Sequence, residues 1–413
     1  MRRGAIPWIE LAGSPAGSSH FSVRGAYHYH EKRSPSFPHP APANGILKGM
    51  AVTIEDAPAT SAQLDDLDRR LLNAVQEDFP LSPRPFADLV ARLDTTEGDI
   101  IARVQRLKDA HIIRQISAIF DSRMLGYHGS LVAMKTAPED EAAAAEIINR
   151  HPGVSHNYRR NHPYNLWFTL TLPPGMDLHE EIETLAKKAN AINTWPLPTI
   201  KLHKIGVTMD MTGEKDRGER EAEGAKKRAR TSDLSLTPAD VSLIRTLQQD
   251  LPVVSEPFAG FADSLGITVD ELLAGAQRFL DEGKMRRFAA VLHHREAGYA
   301  YNAMAVWIVP EEDRPSIGRI MASFKAVSHC YERPTYPDWP YSLFTMIHGQ
   351  NEADCVAMAG QIKEATGLDD FTLLYSTKEY KKVRVQYFEE DYARYLDGEG
   401  RVRRAGDAAP VVR

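Results

Sequence analysis

The stretch LDDLDRRLLNAVQEDFPLSPRPFADL, residues 64–89, aligns without a gap on LTPADVSLIRTLQQDLPVVSEPFAGF, residues 236–261. The offset of 172 persists at Asp78 with Asp250, Pro85-Phe86-Ala87 with Pro257-Phe258-Ala259, Arg114 with Arg286, and Gly126-Tyr127 with Gly298-Tyr299. Beyond these, Ser155-His156 pairs with Ser328-His329, and Tyr164 pairs with Tyr341 at an offset of 177, which puts a short insertion at Pro334 to Pro340 of the second copy. A register held over this length makes the chain a tandem duplication.

Each copy opens on helical periodicity. Leu67, Leu71, Leu72 and Val75 share one helix face, and PFADLVARL continues as a second helix. Asp94-Thr95-Thr96-Glu97 is an N-cap signal for a third helix with Ile100, Val104 and Leu107 on one stripe. Three short helices followed by IIRQISAIF predict a winged helix-turn-helix. The runs GSLVAMKTA, VSHNYRR, NLWFTLTL and TIKLHKIGV then read as strands, with helices at EDEAAAAEIINRH and LHEEIETLAKKANA. That is a βαββαβ, ferredoxin-like module, and the second copy repeats it with NAMAVWIVP, AVSHCYERP, YSLFTMIHG and FTLLYST.

The expected fold class is therefore α+β, a winged helix-turn-helix plus a ferredoxin-like unit, twice. The boundaries read as a disordered leader at 1–60, helical domains at 64–120 and 236–292, and ferredoxin-like domains at 121–211 and 293–390. A charged linker at 212–235 and a loose polar tail at 391–413 complete the division. Met50, before AVTIEDAP, is an alternative start.

Composition bounds the function. The 413 residues carry 50 Lys+Arg against 56 Asp+Glu, a formal net charge of −6 that argues against generic coating of DNA. Two cysteines, Cys330 and Cys355, supply no disulfide framework, CxxC pair or thiolate metal site, and fit a reducing cytoplasm. No apolar run approaches the roughly 20 residues of a membrane span. No metal site of the protein's own is expected.

The two-domain unit resembles the Lrp/AsnC regulators. More specifically, RNHPYNLWFTL at 160–170, RRFAAVLHHREAGYAYNAMAVW at 286–307, HCYERPTYPDWPYSLFTMIHG at 329–349 and STKEYKKVRVQYF at 376–388 resemble the siroheme decarboxylases, in the form that fuses a D-like unit to an L-like unit. The resemblance covers about residues 64 to 390. It implies a carboxy-lyase that converts the C12 and C18 acetates of siroheme to methyls, giving 12,18-didecarboxysiroheme for heme d1 or alternative heme synthesis. It also implies that siroheme brings its own iron, that no further cofactor is needed, and that the partners are further copies or D-, L-, G- and H-like subunits.

An anionic macrocycle needs cations beside flat aromatic walls. Arg159, Arg160, Lys201, Lys204, Arg333, Lys378 and Lys381 are the expected anion clamps, with Tyr164, Trp167, Tyr299, Tyr336 and Trp339 among the walls; Tyr158 and Tyr331 belong with them. Decarboxylation needs a positioned acid. His162 in RNHPYN and the run His293-His294-Arg295 are the catalytic candidates, each histidine being a proton donor or an axial ligand to the substrate's iron. The copies diverge here, RRNHPYNLW against ERPTYPDWPYSLF, which predicts one composite pocket or two unequal ones.

Two rival readings are a transcription regulator and a heme-binding sensor or carrier. Against the first, Arg103, Arg106 and Lys108 on the expected recognition helix are cancelled by Glu97, Asp99 and Asp109. The counterpart sets Arg278 against Asp270, Glu271, Asp281 and Glu282. Phosphate would repel such a face.

Overall fold

Leu71, Leu72 and Val75 have no exposed surface, and their stripe is the inner face of α1 (Asp66–Glu77) in the computed structural model, which describes residues 64–77, 79–205, 234–293, 301–349, 351–389 and 391–398. PFADLVARL breaks into two single turns, α2 (Pro85–Asp88) and α3 (Val90–Leu93), and the left-handed Asp94 ends the second. The third helix, α4 (Glu97–Asp109), starts where the N-cap signal puts it: the Thr96 hydroxyl accepts from the Asp99 amide. After β1 (Ile113–Phe120) come β2 (His128–Lys135), α5 (Glu141–Asn149), β3 (Val154–Arg160), β4 (Leu166–Leu172), α6 (Leu178–Lys188), β5 (Asn193–Pro198) and β6 (Lys201–Ile205).

The second copy repeats the plan. It runs α7 (Pro238–Leu247), α8 (Ala259–Leu265), α9 (Val269–Asp281), β7 (Met285–Leu292), β8 (Tyr301–Trp307), α10 (Arg314–Ser323), β9 (Val327–Glu332), β10 (Leu343–Gly349), α11 (Glu352–Thr366) and β11 (Phe371–Lys382). Reciprocal capping boxes, Thr237 with Asp240 and Thr268 with Glu271, open α7 and α9. Residues 391–398, expected as loose tail, instead form α12 (Asp391–Gly398), and the Tyr392 hydroxyl donates to the Thr171 carbonyl. The leader and most of the linker lie outside the described residues.

The wings are shared. β1 pairs antiparallel with β7, Ser117 opposite Ala289, so each helix-turn-helix satisfies its strand edge on the other copy, and the two helical units bury one common core. The cations of the expected recognition helices are held by neighbouring carboxylates: Arg103 by Asp65, Asp68 and Asp99, Arg106 by Asp68, and Arg278 by Asp240 and Glu282.

The ferredoxin-like modules have the antiparallel orders β5-β2-β4-β3 and β11-β8-β10-β9. The first module is closed by NTWPLP rather than by TIKLHKIGV. β5 pairs only with β2, and at such an edge Pro196 and Pro198 need not donate to a neighbour. TIKLHKI becomes β6, which crosses to pair with β9 of the second module. Reciprocally, the first half of β11 pairs with β8 and its second half with β3. The combined order is β5-β2-β4-β3-β11-β8-β10-β9-β6, and its two ends, β5 and β6, are joined through Thr199 and Ile200, so the chain itself closes the ring.

Residue parity divides the two faces of each sheet. On β4, Leu166, Phe168, Leu170 and Leu172 pack under α5 and α6, while Trp167, Thr169 and Thr171 point the other way. On β10, Leu343 and Ile347 pack under α10 and α11, while Phe344, Met346 and His348 do not. The faces turned from the helices meet in a third core around Trp167, Trp339 and Phe344, and enclose the site.

Candidate functional site

The inner faces of both modules line one cavity of about 730 Å³, within the size range of small-molecule and cofactor pockets. β3 supplies His156, Tyr158 and Arg160, and the end of the β9 segment supplies His329, Tyr331 and Arg333. These are the same motif twice: Ser155-His156-Asn157-Tyr158-Arg159-Arg160 against Ser328-His329-Cys330-Tyr331-Glu332-Arg333. Spacing of two sends His, Tyr and Arg to one face, and Asn157 and Cys330 to the helix side, where Asn157 bonds to the Ala145 carbonyl and Cys330 joins the core.

The serine of each motif sits at a register shift. Between Val154 and His156 the strand gains a residue relative to β4, and between Val327 and His329 it does so relative to β10. A bulge re-aims neighbouring side chains. Here it brings Ser155 Oγ to 2.9 Å from His156 Nδ1, and Ser328 Oγ to 2.9 Å from His329 Nδ1. Ser328 Oγ also lies 2.8 Å from His348 Nε2, linking two histidines through one hydroxyl. The residue at the place of His348 in the first copy is Thr171.

The arginines are placed with equal symmetry. Arg160 Nη1 donates to the Leu374 carbonyl on β11 at 2.8 Å, and Arg333 Nη1 donates to the Leu197 carbonyl on β5. Each thus crosses to the closing strand of the other module. Each is buried, its Nε has no hydrogen-bond partner, and no carboxylate among the described residues pairs with it. Arg333 lies over Tyr331 at 4.7 Å from the ring centre, and Arg160 stands about as far from Tyr158 as from Trp167, at 5.9 and 6.0 Å.

Arg123, Arg286 and Lys382 add further positive charge to the wall, and among the described residues no Asp or Glu lines it. Arg123 and Arg286 both contact the buried Asp121, which steers them there. Burial holds the imidazoles neutral: His329 is drawn down to about 3, and His156 and His348 to about 4, helped by neighbouring cations and, for His329, by the other histidines. Burial likewise draws Arg160 and Arg333 down to about 10, still protonated at neutral pH. The cavity is an electropositive slot with aromatic and apolar walls, Trp167, Phe344, Met304 and Leu131. Such a slot suits a flat polyanion.

Of the residues singled out in the sequence, Arg160, Trp167, Arg333, Tyr158 and Tyr331 line this cavity. Arg159 points to the opposite face, as a strand neighbour of Arg160 must, and pairs with Glu141. His162 lies in the β3–β4 hairpin: its Nδ1 accepts from the Tyr164 amide and its ring stands edge-on to Trp339 at 5.3 Å, away from the lining. Tyr164 donates to Asp338 at 2.6 Å, Tyr336 donates to the Pro196 carbonyl, and Trp339 is buried between them, so all three join the modules together.

The remaining lysines serve neighbouring backbone or face outward. Lys204 donates to the Phe324 carbonyl, Lys381 to those of Asn149 and His151, Lys378 lies over Tyr380, and Lys201 is exposed on β6. His293 caps the β1–β7 ribbon, donating its amide to the Ile112 carbonyl, and is not among the lining residues. His294, Arg295 and Tyr299 lie outside the described residues.

Sequence reasoning missed His156, His329, His348, Arg123, Arg286 and Lys382. The signal was present for the first two. The Ser-His pair recurs with Tyr and Arg at the same spacing in both copies, and was read only as a mark of duplication.

A family model described as an AsnC-like ligand binding domain matches residues 124–204 and 296–381, and one described as a siroheme decarboxylase NirDL-like HTH domain matches 68–114 and 240–286. The siroheme decarboxylase of Hydrogenobacter thermophilus is 37% identical over 328 residues, 79% of this chain and 96% of that protein. The siroheme decarboxylase beta subunit of Methanosarcina barkeri is 48% identical over 147 residues, 36% of this chain and 97% of that subunit. Among solved structures, the siroheme decarboxylase NirDL in co-complex with an iron-uroporphyrin III analogue superposes with a TM-score of 0.62 at 32% identity, covering 80% of this chain and 98% of that one. With both copies of the duplication matched and nearly the whole Hydrogenobacter protein spanned, the chain belongs to the siroheme decarboxylase family.

Proposed function

We propose that the chain is a siroheme decarboxylase, a carboxy-lyase acting on the C12 and C18 acetates, and that the cavity between the two modules is where it acts. The observation that carries this reading is a wall of Arg123, Arg160, Arg286, Arg333 and Lys382 with no Asp or Glu among its described lining residues, in which the buried Arg160 and Arg333 pair with no described carboxylate. A polycarboxylate macrocycle supplies the missing negative charge. The iron is part of the substrate, and the proposal includes no resident cofactor.

The reaction breaks one bond per acetate, between the methylene carbon and its carboxylate. Carbon dioxide leaves, the electron pair stays with the methylene and is spread into the pyrrole, and one proton makes the methyl. Electrons balance without an oxidant or reductant. The residues present can hold and protonate. Arg160 and Arg333, anchored on backbone carbonyls, offer their remaining N–H groups to carboxylates, and they serve best on arms that do not react, since gripping the reacting acetate would stabilise the ground state.

His156 and His329 are the proposed acids. Held neutral by burial, they gain protons when carboxylates bring negative charge beside them. The apolar wall of Met304, Leu131 and Phe344 favours loss of carboxylate as neutral carbon dioxide. Arg295, His294 and Tyr299 remain proposed site residues on the strength of the sequence motif alone, and His162 and His293 are proposed as supporting residues.

A cytoplasmic location fits two buried cysteines that form no disulfide, and among the described residues no helix is long and apolar enough to cross a membrane. The proposed partners are copies of this chain or further subunits of the same family, because some relatives are separate alpha and beta subunits. The product feeds heme d1 synthesis or the alternative heme route.

The test is anaerobic incubation of the full chain with siroheme and mass spectrometry of the tetrapyrrole. Loss of two carboxyl groups is the expected result. Siroheme bound tightly yet unchanged would replace the enzyme with a carrier or sensor.

A further inference from the structure

The cavity contains its chemistry twice. Each copy contributes a bulged serine against a histidine, a tyrosine, and a buried arginine anchored on the other module's closing strand, and both sets open into one space. One cavity with two equivalent sets of groups is the arrangement for one ligand held at two related points. The two acetates in question suit it. They stand on adjacent rings, C and D, in opposite order about the bridge joining those rings, so a half-turn about that bridge exchanges them.

We propose that the two motifs are half-sites for one bound siroheme, His156 with Arg160 facing one reacting acetate and His329 with Arg333 facing the other, so that both carboxyl groups leave without the macrocycle turning over. This rests on the decarboxylase reading and adds to it an order. Among the positions at which the half-sites differ, His348 against Thr171 is the one that bears on proton return. Through Ser328, His348 can return a proton to His329 after it has been spent, at distances of 2.8 and 2.9 Å; the Ser155-His156 pair has no such third member at Thr171. The half-site of His329 acts first.

Each step balances alone. One carbon–carbon bond breaks, one carbon dioxide leaves, one proton passes from the half-site histidine to the methylene carbon, and that histidine is reprotonated from water, by way of His348 in the second half-site.

The experiment uses the full chain and siroheme under anaerobic conditions, with the two mono-decarboxylated isomers separated by chromatography and identified by mass and NMR. His329→Gln and His156→Gln, close in shape to the original, are compared with the alanine variants, and the visible absorbance of bound siroheme reports that each variant still folds around its ligand. The expected result is that each variant slows one decarboxylation by about 100-fold or more and that the two accumulate different isomers. His348→Thr, which removes this difference in proton return, is expected to move the wild-type intermediate from a single isomer towards a mixture.

A single variant that stops both decarboxylations, or two variants that accumulate the same isomer, would overturn the half-site proposal and leave one reaction centre with a turning substrate. Siroheme left intact by the wild-type chain would instead remove the decarboxylase reading, and the half-sites with it.

Discussion

Arg160 and Arg333 make one contact in two directions: Arg160 reaches from the first module to the carbonyl of Leu374 in the second, and Arg333 reaches from the second module to the carbonyl of Leu197 in the first. Both guanidinium groups are fixed by backbone, and both keep an Nε without a partner inside the protein. A buried cation held this way is poorly satisfied until an anion arrives.

Stability and binding should therefore move apart in Arg333→Met. Losing the clamp is expected to remove about 2–5 kcal/mol of siroheme binding, roughly 30-fold or more in affinity. The thermal midpoint of the ligand-free chain should fall little or rise, because a desolvated charge leaves with the side chain. Titration of siroheme into both proteins, beside their melting curves, checks the pair; a large drop in the free protein's midpoint would make Arg333 a structural residue.

The buried histidines make the free protein sensitive to acid. Burial lowers His156 and His348 to about 4 and His329 to about 3, against 6.5 when exposed, so between these values the unfolded chain binds more protons than the folded one. Stability contributed by their neutral forms is complete above about 6.5 and is lost as pH falls toward about 4, each group costing up to about 1.4 kcal/mol per pH unit. Urea unfolding across that range should show the slope, and His348→Thr should reduce it. A flat profile would show the slot to be more hydrated than its burial indicates.

Gly153 permits the C-terminal helix to dock. A Cβ there would run into the Thr171 carbonyl oxygen and the Tyr392 hydroxyl that donates to it, and the Thr171 amide already donates to the Gly153 carbonyl at 2.9 Å. Gly153→Ala is expected to cost about 1–3 kcal/mol by overpacking and to make the region after Asp391 sensitive to protease. Unchanged melting and proteolysis would mean that α12 is dispensable.

Asp68 is buried and ties Arg103 and Arg106 of α4 to α1. Asp68→Asn should lower stability by about 1–3 kcal/mol while leaving siroheme turnover in the folded protein unaltered. Because these arginines are committed to carboxylates, the wild-type chain should give no salt-dependent shift of duplex DNA; a shift that weakens steeply with salt would restore the regulator reading.

How much of this was legible beforehand differs by element. Alignment of Leu64 with Leu236 exposed the duplication, and NLWFTLTL was readable as a strand, because both depend on local spacing. The closing strand was not legible. NTWPLP contains two prolines and reads as a breaker, and only its place at an edge, a tertiary fact, makes it a strand. One catalytic candidate stands away from the cavity for a related reason. His162 is conspicuous in RNHPYN, yet a hairpin turns it toward Trp339, while the bulges at Ser155 and Ser328 alter the alternation that decides where His156 and His329 point. Arg160 and Arg333, singled out because cation and aromatic occur together on strands, do line the cavity, a pattern that survives such shifts.

The exchange of closing strands also governs how the chain is made. β3 pairs on one side with β4, and its other edge is covered by the distal half of β11, which leaves the ribosome only after almost all of the second module. Until then the nascent first module presents an open strand edge bearing Tyr158 and Arg160, the kind of edge that recruits other chains. A separately made partner could cover it only after a chance encounter, whereas fusion ensures that the covering strand arrives on the same molecule, one per edge, at the end of each round of synthesis.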